Sequence, residues 1–98
     1  MGSQAAAAVN EMPEMPSIAV VAGITIAIYY NDHDPPHFHA IQGGEEFRVR
    51  IADLKVWPGD SAPSAMVNAV LAWALRWQSE LALCWVRALS ALPPGRIT

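Results

Sequence analysis

Two patterns of apolar residues divide the chain into a strand-forming part and a helix-forming part. Over residues 17–52, apolar and polar positions alternate. Ile24, Ile26 and Ile28, for example, would share one face of a half-buried strand. Over residues 63–91, the apolar positions instead recur every three or four residues, which is the period of an amphipathic helix. The sequence therefore predicts an α+β fold: a small antiparallel sheet of roughly three to five strands, with one long C-terminal helix or a helix pair packed on one face.

Turn-forming residues mark the ends of the predicted strands. Ala22-Gly23 and Gly43-Gly44 are typical of hairpin turns, so each should join two antiparallel strands. We expect strands at residues 17–21, 24–30, 38–42 and 45–52, followed by a short strand at 54–57. The loop between the two hairpins should then lie at one end of the sheet, where it is exposed but anchored by rigid neighbours.

The helical part holds more apolar residues than one helix face can carry. One stripe recurs at spacings of three and four and consists of Val70, Trp73, Ala74, Trp77, Leu81, Cys84 and Trp85. A second set broadens the stripe, namely Met66, Leu75, Leu83, Val86 and Leu89. We interpret the stripe as core or dimer packing rather than a cofactor site, because large aromatic residues dominate small cores. The polar run Gln78-Ser79-Glu80 marks the position at which a single helix would divide into two.

The composition gives the chain more apolar surface than one copy can bury. Hydrophobic residues make up 53% of the 98 residues and charged residues 15%, against about 25% charged residues in typical soluble domains. We therefore expect a homo-oligomer, or a small partner protein that covers part of the surface. The net charge of −3 argues against nucleic-acid binding through a global basic field, so only a local patch could contact nucleic acid.

The first residues differ in character from the rest of the chain. We expect residues 1–14 to form a flexible extension and residues 15–98 to form a single α+β domain. The opening lacks both the cationic flank and the long apolar region of a secretory signal. The most apolar stretches, residues 18–30 and 65–77, are shorter than the roughly 20 residues of a membrane span. We expect a soluble, cytoplasmic protein without membrane contact.

All three histidines fall within one short stretch, residues 31–39. His37 and His39 are two residues apart at the start of a predicted strand, so their side chains should project from the same face. His33 precedes them in a loop whose backbone is restricted by two consecutive prolines. This concentration of histidine makes the stretch the candidate functional site of the chain.

A compact group of imidazoles and carboxylates is typical of two kinds of site. With Asp32, the three histidines could bind a divalent metal, for which imidazole plus carboxylate favours Zn²⁺. The same groups could work without a metal, as a general acid and base with a carboxylate that orients one imidazole. The alternative to both is an ordinary loop, with an Asx turn at Asp32 and half-exposed histidines on the strand. The candidate residues for catalysis and for metal binding are one set: His33, His37, His39 and Asp32.

Two arginines and a tryptophan in and after the second hairpin bear on this site. Arg48 and Arg50 alternate with apolar residues on the polar face of their strand. We expect them to form cross-strand ion pairs with Glu45 or Glu46, and to contact an anion only if the histidines share that face. Trp57 precedes a Pro-Gly turn, and we expect it to cover the core rather than to serve as a stacking platform.

The histidine stretch and its surroundings resemble a known family. The residues that carry the resemblance are Met15-Pro16-Ser17-Ile18, Gly23, Tyr29-Tyr30-Asn31-Asp32-His33, Pro35-Pro36-His37-Phe38-His39, Gly43-Gly44, Trp73, Glu80-Leu81 and Trp85. They are similar to a family of small bacterial proteins, the domain of unknown function 4160, whose signature is D-H-x-P-P-H-x-H. Asp34 falls in the variable position of this signature, and the matching residues are Asp32, His33, Pro35, Pro36, His37 and His39.

The resemblance implies little about activity. Members of the family are uncharacterised as a class, are often encoded beside another small protein, and have been suspected of belonging to toxin–antitoxin-like pairs. One hypothesis is therefore that the chain is one half of such a pair, with a histidine cluster that acts on RNA or another phosphate ester. The other hypothesis is a non-catalytic protein-interaction module, whose histidine loop is structural or binds a divalent metal. The acidic charge favours the second hypothesis, and the histidines beside a stiff loop favour the first.

Overall fold

The structure is a computed structural model that describes residues 16–97. Over this range, a four-stranded antiparallel sheet is followed by two helices. The strands are β1 (Ser17–Val21), β2 (Ile24–Ala27), β3 (His37–Gln42) and β4 (Glu45–Arg50), and the helices are α1 (Ser64–Arg76) and α2 (Gln78–Leu89). The predicted α+β class is confirmed, with a helix pair rather than one long helix. The extension predicted at residues 1–14 lies outside the described residues.

The strands lie in the sheet in chain order, and tight turns set their register. Ala22 and Gly23 join β1 to β2 with φ angles of 51° and 80°, the two positive values that a type I′ turn requires. Gly43-Gly44 joins β3 to β4 in the same two-residue manner. Because the order is β1-β2-β3-β4, the histidine-bearing strand β3 is an interior strand between β2 and β4.

The second strand of each hairpin is shorter than predicted. Both β2 and β4 end before the predicted residues, and the strand expected at 54–57 is reduced to a single bridge between Val49 and Val56. Leu54 explains this loss, because its φ of 55° lies in the left-handed region and interrupts extended backbone. The bridge nevertheless folds the following residues back along β4, where the Trp57 N–H donates to the carbonyl of Arg48.

The core lies between the sheet and the helices, and it uses every second residue of β3. Its fully buried side chains include Phe38 and Ala40 of β3, Phe47 and Val49 of β4, and Val70 and Ala74 of α1. Phe38 packs edge-on against Trp73, with ring centroids 6.3 Å apart. Since side chains alternate along a strand, His37 and His39 project from the opposite face of β3.

A one-residue break separates the two helices. Trp77 has φ of −121° and ψ of 23°, which ends α1 at Arg76 and lets α2 begin at Gln78. The side-chain amide of Gln78 donates to the carbonyls of Ile51 and Ala52, at 2.6 and 3.0 Å. The predicted division near Gln78 is therefore confirmed, and the polar side chain that signals it fastens the break to the end of β4.

The second apolar set of the helical part remains largely on the surface. Leu75, Leu83, Val86 and Leu89 are 70%, 53%, 58% and 49% exposed, whereas Cys84 is 2% exposed and packs in the core. Burial raises the pKa of the Cys84 thiol. Neither helix in the described range has the length and apolar character needed to cross a bilayer.

Candidate functional site

The loop between β2 and β3 carries the first two residues of the predicted site. Asn31 adopts a left-handed conformation with φ of 53°, which Asn tolerates better than most residues. Its N–H donates to the carbonyl of Ala88 in α2, at 3.3 Å, so the helix anchors the loop. Asp32 and His33 follow directly, and the peptide bond between Asp34 and Pro35 is cis.

Strand β3 carries the other two residues and buries them. The rings of His37 and His39 lie side by side, with centroids 5.1 Å apart, as the spacing of two predicts. The side chains are almost completely buried, with residue exposures of 1% and 7%. The interpretation of these histidines as half-exposed strand residues is therefore wrong, because the loop at Asp32 and the side chain of Trp57 cover this face of β3.

The Asp32 carboxylate lies at the centre of the cluster. Its Oδ2 is 2.9 Å from Nε2 of His37 and 3.2 Å from Nε2 of His39. Its Oδ1 accepts a hydrogen bond from the His33 backbone N–H, at 2.8 Å, and lies 3.7 Å from Nε2 of the same residue. The structure thus brings the four predicted residues together, with each histidine turning Nε2 toward one carboxylate.

The other ring nitrogen of each histidine lies against an oxygen that can only accept. Nδ1 of His33 is 3.2 Å from the carbonyl of Asp34, and Nδ1 of His37 is 2.8 Å from the carbonyl of Pro35. Nδ1 of His39 lies 3.0 Å from Oε2 of Glu46. The backbone carbonyls assign the proton of a neutral ring to Nδ1 in His33 and His37. The lone pair of these two rings then lies on Nε2 and faces Asp32, whereas Nε2 of His39 is hydrogen-bonded to Oδ2 of Asp32 at 3.2 Å.

The Nε2 atom of His37 is buried without a hydrogen-bond partner among residues 16–97, although the Asp32 oxygen is only 2.9 Å away. The pair has the distance of a hydrogen bond without the required angles. A buried polar atom without a partner costs about 1–3 kcal/mol, so this nitrogen calls for a proton or a cation.

The ligand atoms of three residues are close enough to share one ion. Asp32, His33 and His37 each offer an atom, and these atoms lie within 4.8 Å of one another. His39 does not belong to this group of three, because its ring is held between Asp32 and Glu46. Asp34, in the variable position of the signature, is not part of the group either.

Aromatic side chains enclose the cluster. Tyr29 stacks on the His39 ring with centroids 4.2 Å apart and an interplanar angle of 9°. Trp57 lies 4.8 Å from the His37 ring and 5.8 Å from the His33 ring. The expectation that Trp57 covers the core is wrong, because the return of the chain along β4 places the indole on the histidine face. Trp85 of α2 completes the enclosure at 5.3 Å from His37.

The two arginines lie on the same face as the histidines, but their ion-pair partners differ from those predicted. Arg48 pairs with His39 in the strand register, and its guanidinium binds Asp60 through two hydrogen bonds of 2.9 and 2.8 Å. Arg50 binds Asp53 in the same way. The predicted ion pairs with Glu45 or Glu46 are absent from the described residues, because the chain after β4 folds back and supplies its own carboxylates.

A cleft of about 400 Å³ opens beside the cluster and is lined by Tyr29, His39, Glu46, Arg48 and Asp60. Sequence reasoning missed three of these residues as site residues: Tyr29, Glu46 and Asp60. The alternation along β4 could have revealed Glu46, which shares a face with Arg48 and lies diagonally across from His39. The position of Asp60 depends on the return of the chain along β4, for which the sequence carries no clear signal.

The environment fixes the charge of two groups. Burial opposes ionisation of Asp32, but the His33 backbone N–H and the His39 ring together hold the pKa of the carboxyl below its usual value. Burial, with the nearby carboxylates of Glu46 and Asp32, raises the pKa of the Tyr29 phenol. Near neutral pH, Asp32 is therefore an anion that can bind a cation, and Tyr29 keeps its proton.

Fold and cluster together define a small α+β protein with a histidine–aspartate group at one end of an antiparallel sheet. The family described as Domain of unknown function (DUF4160) matches residues 23–86, and the chain belongs to this family. The match covers the histidine stretch and both helices up to Val86. No curated protein and no solved structure matches the chain.

The ion pair between Asp60 and Arg48 gives a prediction about stability. Hydrogen bonds from the Arg48 guanidinium and from the Arg48 backbone N–H hold the pKa of the Asp60 carboxyl below its ordinary 3.8, although partial burial opposes this. Because the folded state lowers this pKa, the stabilisation is present at neutral pH and is lost as the pH falls below about 4. Asp60→Asn should therefore lower the free energy of unfolding by about 1–3 kcal/mol at pH 7 and by much less near pH 3.

Urea unfolding of both forms at the two pH values measures this effect. Asp53→Asn is the matched control, because it removes an equivalent arginine pair that is more exposed to solvent and should therefore cost less. An equal decrease in the free energy of unfolding in the two variants would contradict a special role for Asp60. A decrease in Asp60→Asn that is the same at both pH values would contradict it as well.

Proposed function

We propose that the protein binds a divalent metal ion, with zinc favoured, through Asp32, His33 and His37. The observation that carries this proposal is the buried Nε2 of His37, whose lone pair faces the Asp32 carboxylate at 2.9 Å. Two electron-rich atoms at this distance repel each other unless a cation or a proton lies between them. His33 brings a further ligand atom to the same place, which an ion pair alone would not need.

The loop supports these ligands in the way that metal sites usually are supported. A metal-binding histidine commonly donates its other ring N–H to a carbonyl or carboxylate, which fixes the tautomer and the orientation of the ring. Here Nδ1–H of His33 donates to the carbonyl of Asp34, and Nδ1–H of His37 donates to the carbonyl of Pro35. Three protein ligands leave the fourth position of tetrahedral zinc open, as in catalytic rather than structural zinc sites.

The reaction class we assign to this site is hydrolysis of a phosphate ester, RNA included, in the adjoining cleft. A divalent ion would supply Lewis-acid stabilisation of a phosphoryl oxygen and help to activate water. The charge of the cleft favours such an ion, because the carboxylates of Glu46 and Asp60 in its lining outweigh the guanidinium of Arg48 and would repel an anionic ester. His39 lines the cleft and contacts Asp32, so it is placed to touch the ester.

The cellular setting of this activity rests on the family resemblance. A protein that cleaves RNA needs a means of restraint, and the resemblance suggests a toxin–antitoxin-like pair of cytoplasmic proteins. Leu75 of α1, which is 70% exposed, offers apolar surface for such a partner.

Zinc binding and hydrolysis, measured on the same protein, test the proposal. After dialysis against chelator, the wild-type chain should take up one zinc per copy in competition with a chromophoric chelator, and His37→Gln should bind zinc about 100-fold more weakly. Zinc-loaded wild type should cleave a short single-stranded RNA, and the zinc-free protein should not. His39→Gln should keep the zinc and lose cleavage. Failure of the wild type to bind zinc, or binding unchanged in His37→Gln, would refute the proposal.

A second candidate function uses the same ion without a reaction. Here zinc would fasten the loop at Asp32 to β3, and the apolar surface of α2 would bind another protein. The observation that favours this candidate is the large exposed fraction of Leu83, Val86 and Leu89. Zinc that raises the melting temperature of the wild type without any RNA cleavage would support this second function over the first.

A further inference from the structure

Helix α2 has two apolar faces, and the core covers one of them. Leu81, Cys84, Trp85 and Ala88 are buried against the rest of the protein. The other face, named here the outer face of α2, consists of Ala82, Leu83, Val86 and Leu89, all exposed. Their spacings of three and four place them next to one another along the helix, so the exposed side chains form one continuous apolar strip.

We infer that a second copy of this chain covers the outer face, with the two α2 helices packed antiparallel about a two-fold axis. The strip itself carries no charged side chain, so it can pack against its own copy without burying an unpaired charge. This inference does not depend on the metal or on the proposed reaction, because none of the four residues belongs to the histidine cluster.

The charged residues that border the strip are complementary to those of a second, antiparallel copy of the same helix. Glu80 and Arg87 are both exposed and both lie beside Leu83, one turn before it and one turn after it. A two-fold axis that passes between Leu83 and Cys84 exchanges the two positions along the helix. Each Glu80 then lies opposite the partner's Arg87, which gives two ion pairs in the dimer. In a parallel pair, the charged borders of the two helices would lie on opposite sides of the interface, so neither ion pair could form.

Arg87 can take part in this pair while it keeps its contact within the chain. One guanidinium nitrogen donates to the carbonyl of Pro94, at 3.3 Å. A guanidinium carries five N–H donors, so others can reach the Glu80 carboxylate of the partner. The existing bond holds the side chain on one side of the helix, which reduces the entropy lost when the ion pair forms.

The size of the strip predicts a dimer of modest affinity. Together with its charged borders, the outer face of two copies buries on the order of 1,000 Å², which lies at the lower end for specific interfaces. We therefore expect a dimer whose population depends on concentration in the micromolar range rather than a permanent one.

Sedimentation equilibrium of the full chain at about 1–200 µM tests the inference, because this range spans the dissociation constant expected for a small interface. Wild type should shift from monomer to dimer across this range. Val86→Glu should raise the dissociation constant at least tenfold, and Val20→Glu, at an exposed apolar position on β1, should leave it within twofold. Far-UV circular dichroism verifies that each variant is folded.

Charge reversal identifies the partner and the orientation. Glu80→Arg alone and Arg87→Glu alone should each weaken the dimer, whereas the double variant, and an equimolar mixture of the two single variants, should restore it. Wild type that remains monomeric throughout the range would overturn the inference. A dimer that survives Val86→Glu, or charge reversals that fail to compensate each other, would overturn it as well.

Discussion

Replacing Asp32 with asparagine should lower the affinity of the protein for zinc by about 100-fold or more. Asparagine has nearly the same shape but lacks the negative charge that draws a cation toward the Nε2 atoms of His33 and His37. The depressed pKa of Asp32 ensures that this charge is present at neutral pH in the wild type. Zinc competition titrations of the two forms at pH 7 measure the ratio directly.

Asp34→Asn is the matched control for this experiment. It removes one negative charge from the same loop, two residues away, but Asp34 offers no side-chain atom to the ligand group. Its affinity for zinc should remain within about threefold of wild type, since an exposed carboxylate that does not coordinate the ion acts on it only through high-dielectric solvent. Equal losses in the two variants would show that general loop charge, rather than coordination by Asp32, attracts the ion.

Thermal unfolding adds a second readout of the same substitution. At a free zinc concentration 100 times the dissociation constant, binding stabilises the folded wild type by about 2.7 kcal/mol. For a domain of this size, that corresponds to a rise in Tm of roughly 10–20 °C. In chelator, Asp32→Asn should unfold near the wild-type temperature, because its amide can still accept from the His33 N–H and can donate to Nε2 of His37. Zinc should then produce a rise in wild type and almost none in the variant.

The sequence predicts the sheet and its register more reliably than the surroundings of the site. Apolar alternation and two-residue turns are local signals, and they were sufficient to identify both hairpins and to place His37 and His39 on one face. The burial of these two histidines was not predictable in this way. It depends on Trp57 and on the loop at Asp32, and their positions follow from contacts between residues far apart in the chain.

The partners of the charged residues show the same limit. Arg48 faces Glu46 on its own strand, which made a pair between them a reasonable expectation, yet Arg48 binds Asp60 and Glu46 binds His39. The pair with Asp60 depends on the left-handed turn at Leu54, which sends the chain back along β4. Leucine rarely adopts this conformation, so no propensity rule would have indicated it. The cleft beside the histidines arises from this turn, and only the structure reveals it.

Replacing Phe38 with alanine should lower the free energy of unfolding by about 3–5 kcal/mol. Phe38 is completely buried and packs edge-on against Trp73, so the change leaves a cavity and removes an aromatic pair. Since domains of this kind are stable by only about 5–15 kcal/mol, the loss should be large enough to measure easily. Urea unfolding monitored by circular dichroism gives the difference, and Phe38→Leu, which keeps most of the volume, should cost less than about 1.5 kcal/mol.

The position of Phe38 between two site histidines makes this variant a test of how core and site are coupled. Phe38 points into the core and the two histidines point away from it, so the cavity should leave the ligand atoms in place. Zinc should therefore stabilise Phe38→Ala by the same amount as wild type, because effects at independent positions add. A smaller effect of zinc in Phe38→Ala would show that core packing sets the spacing of the histidines. A loss of stability below about 1 kcal/mol would contradict the packing of Phe38 itself.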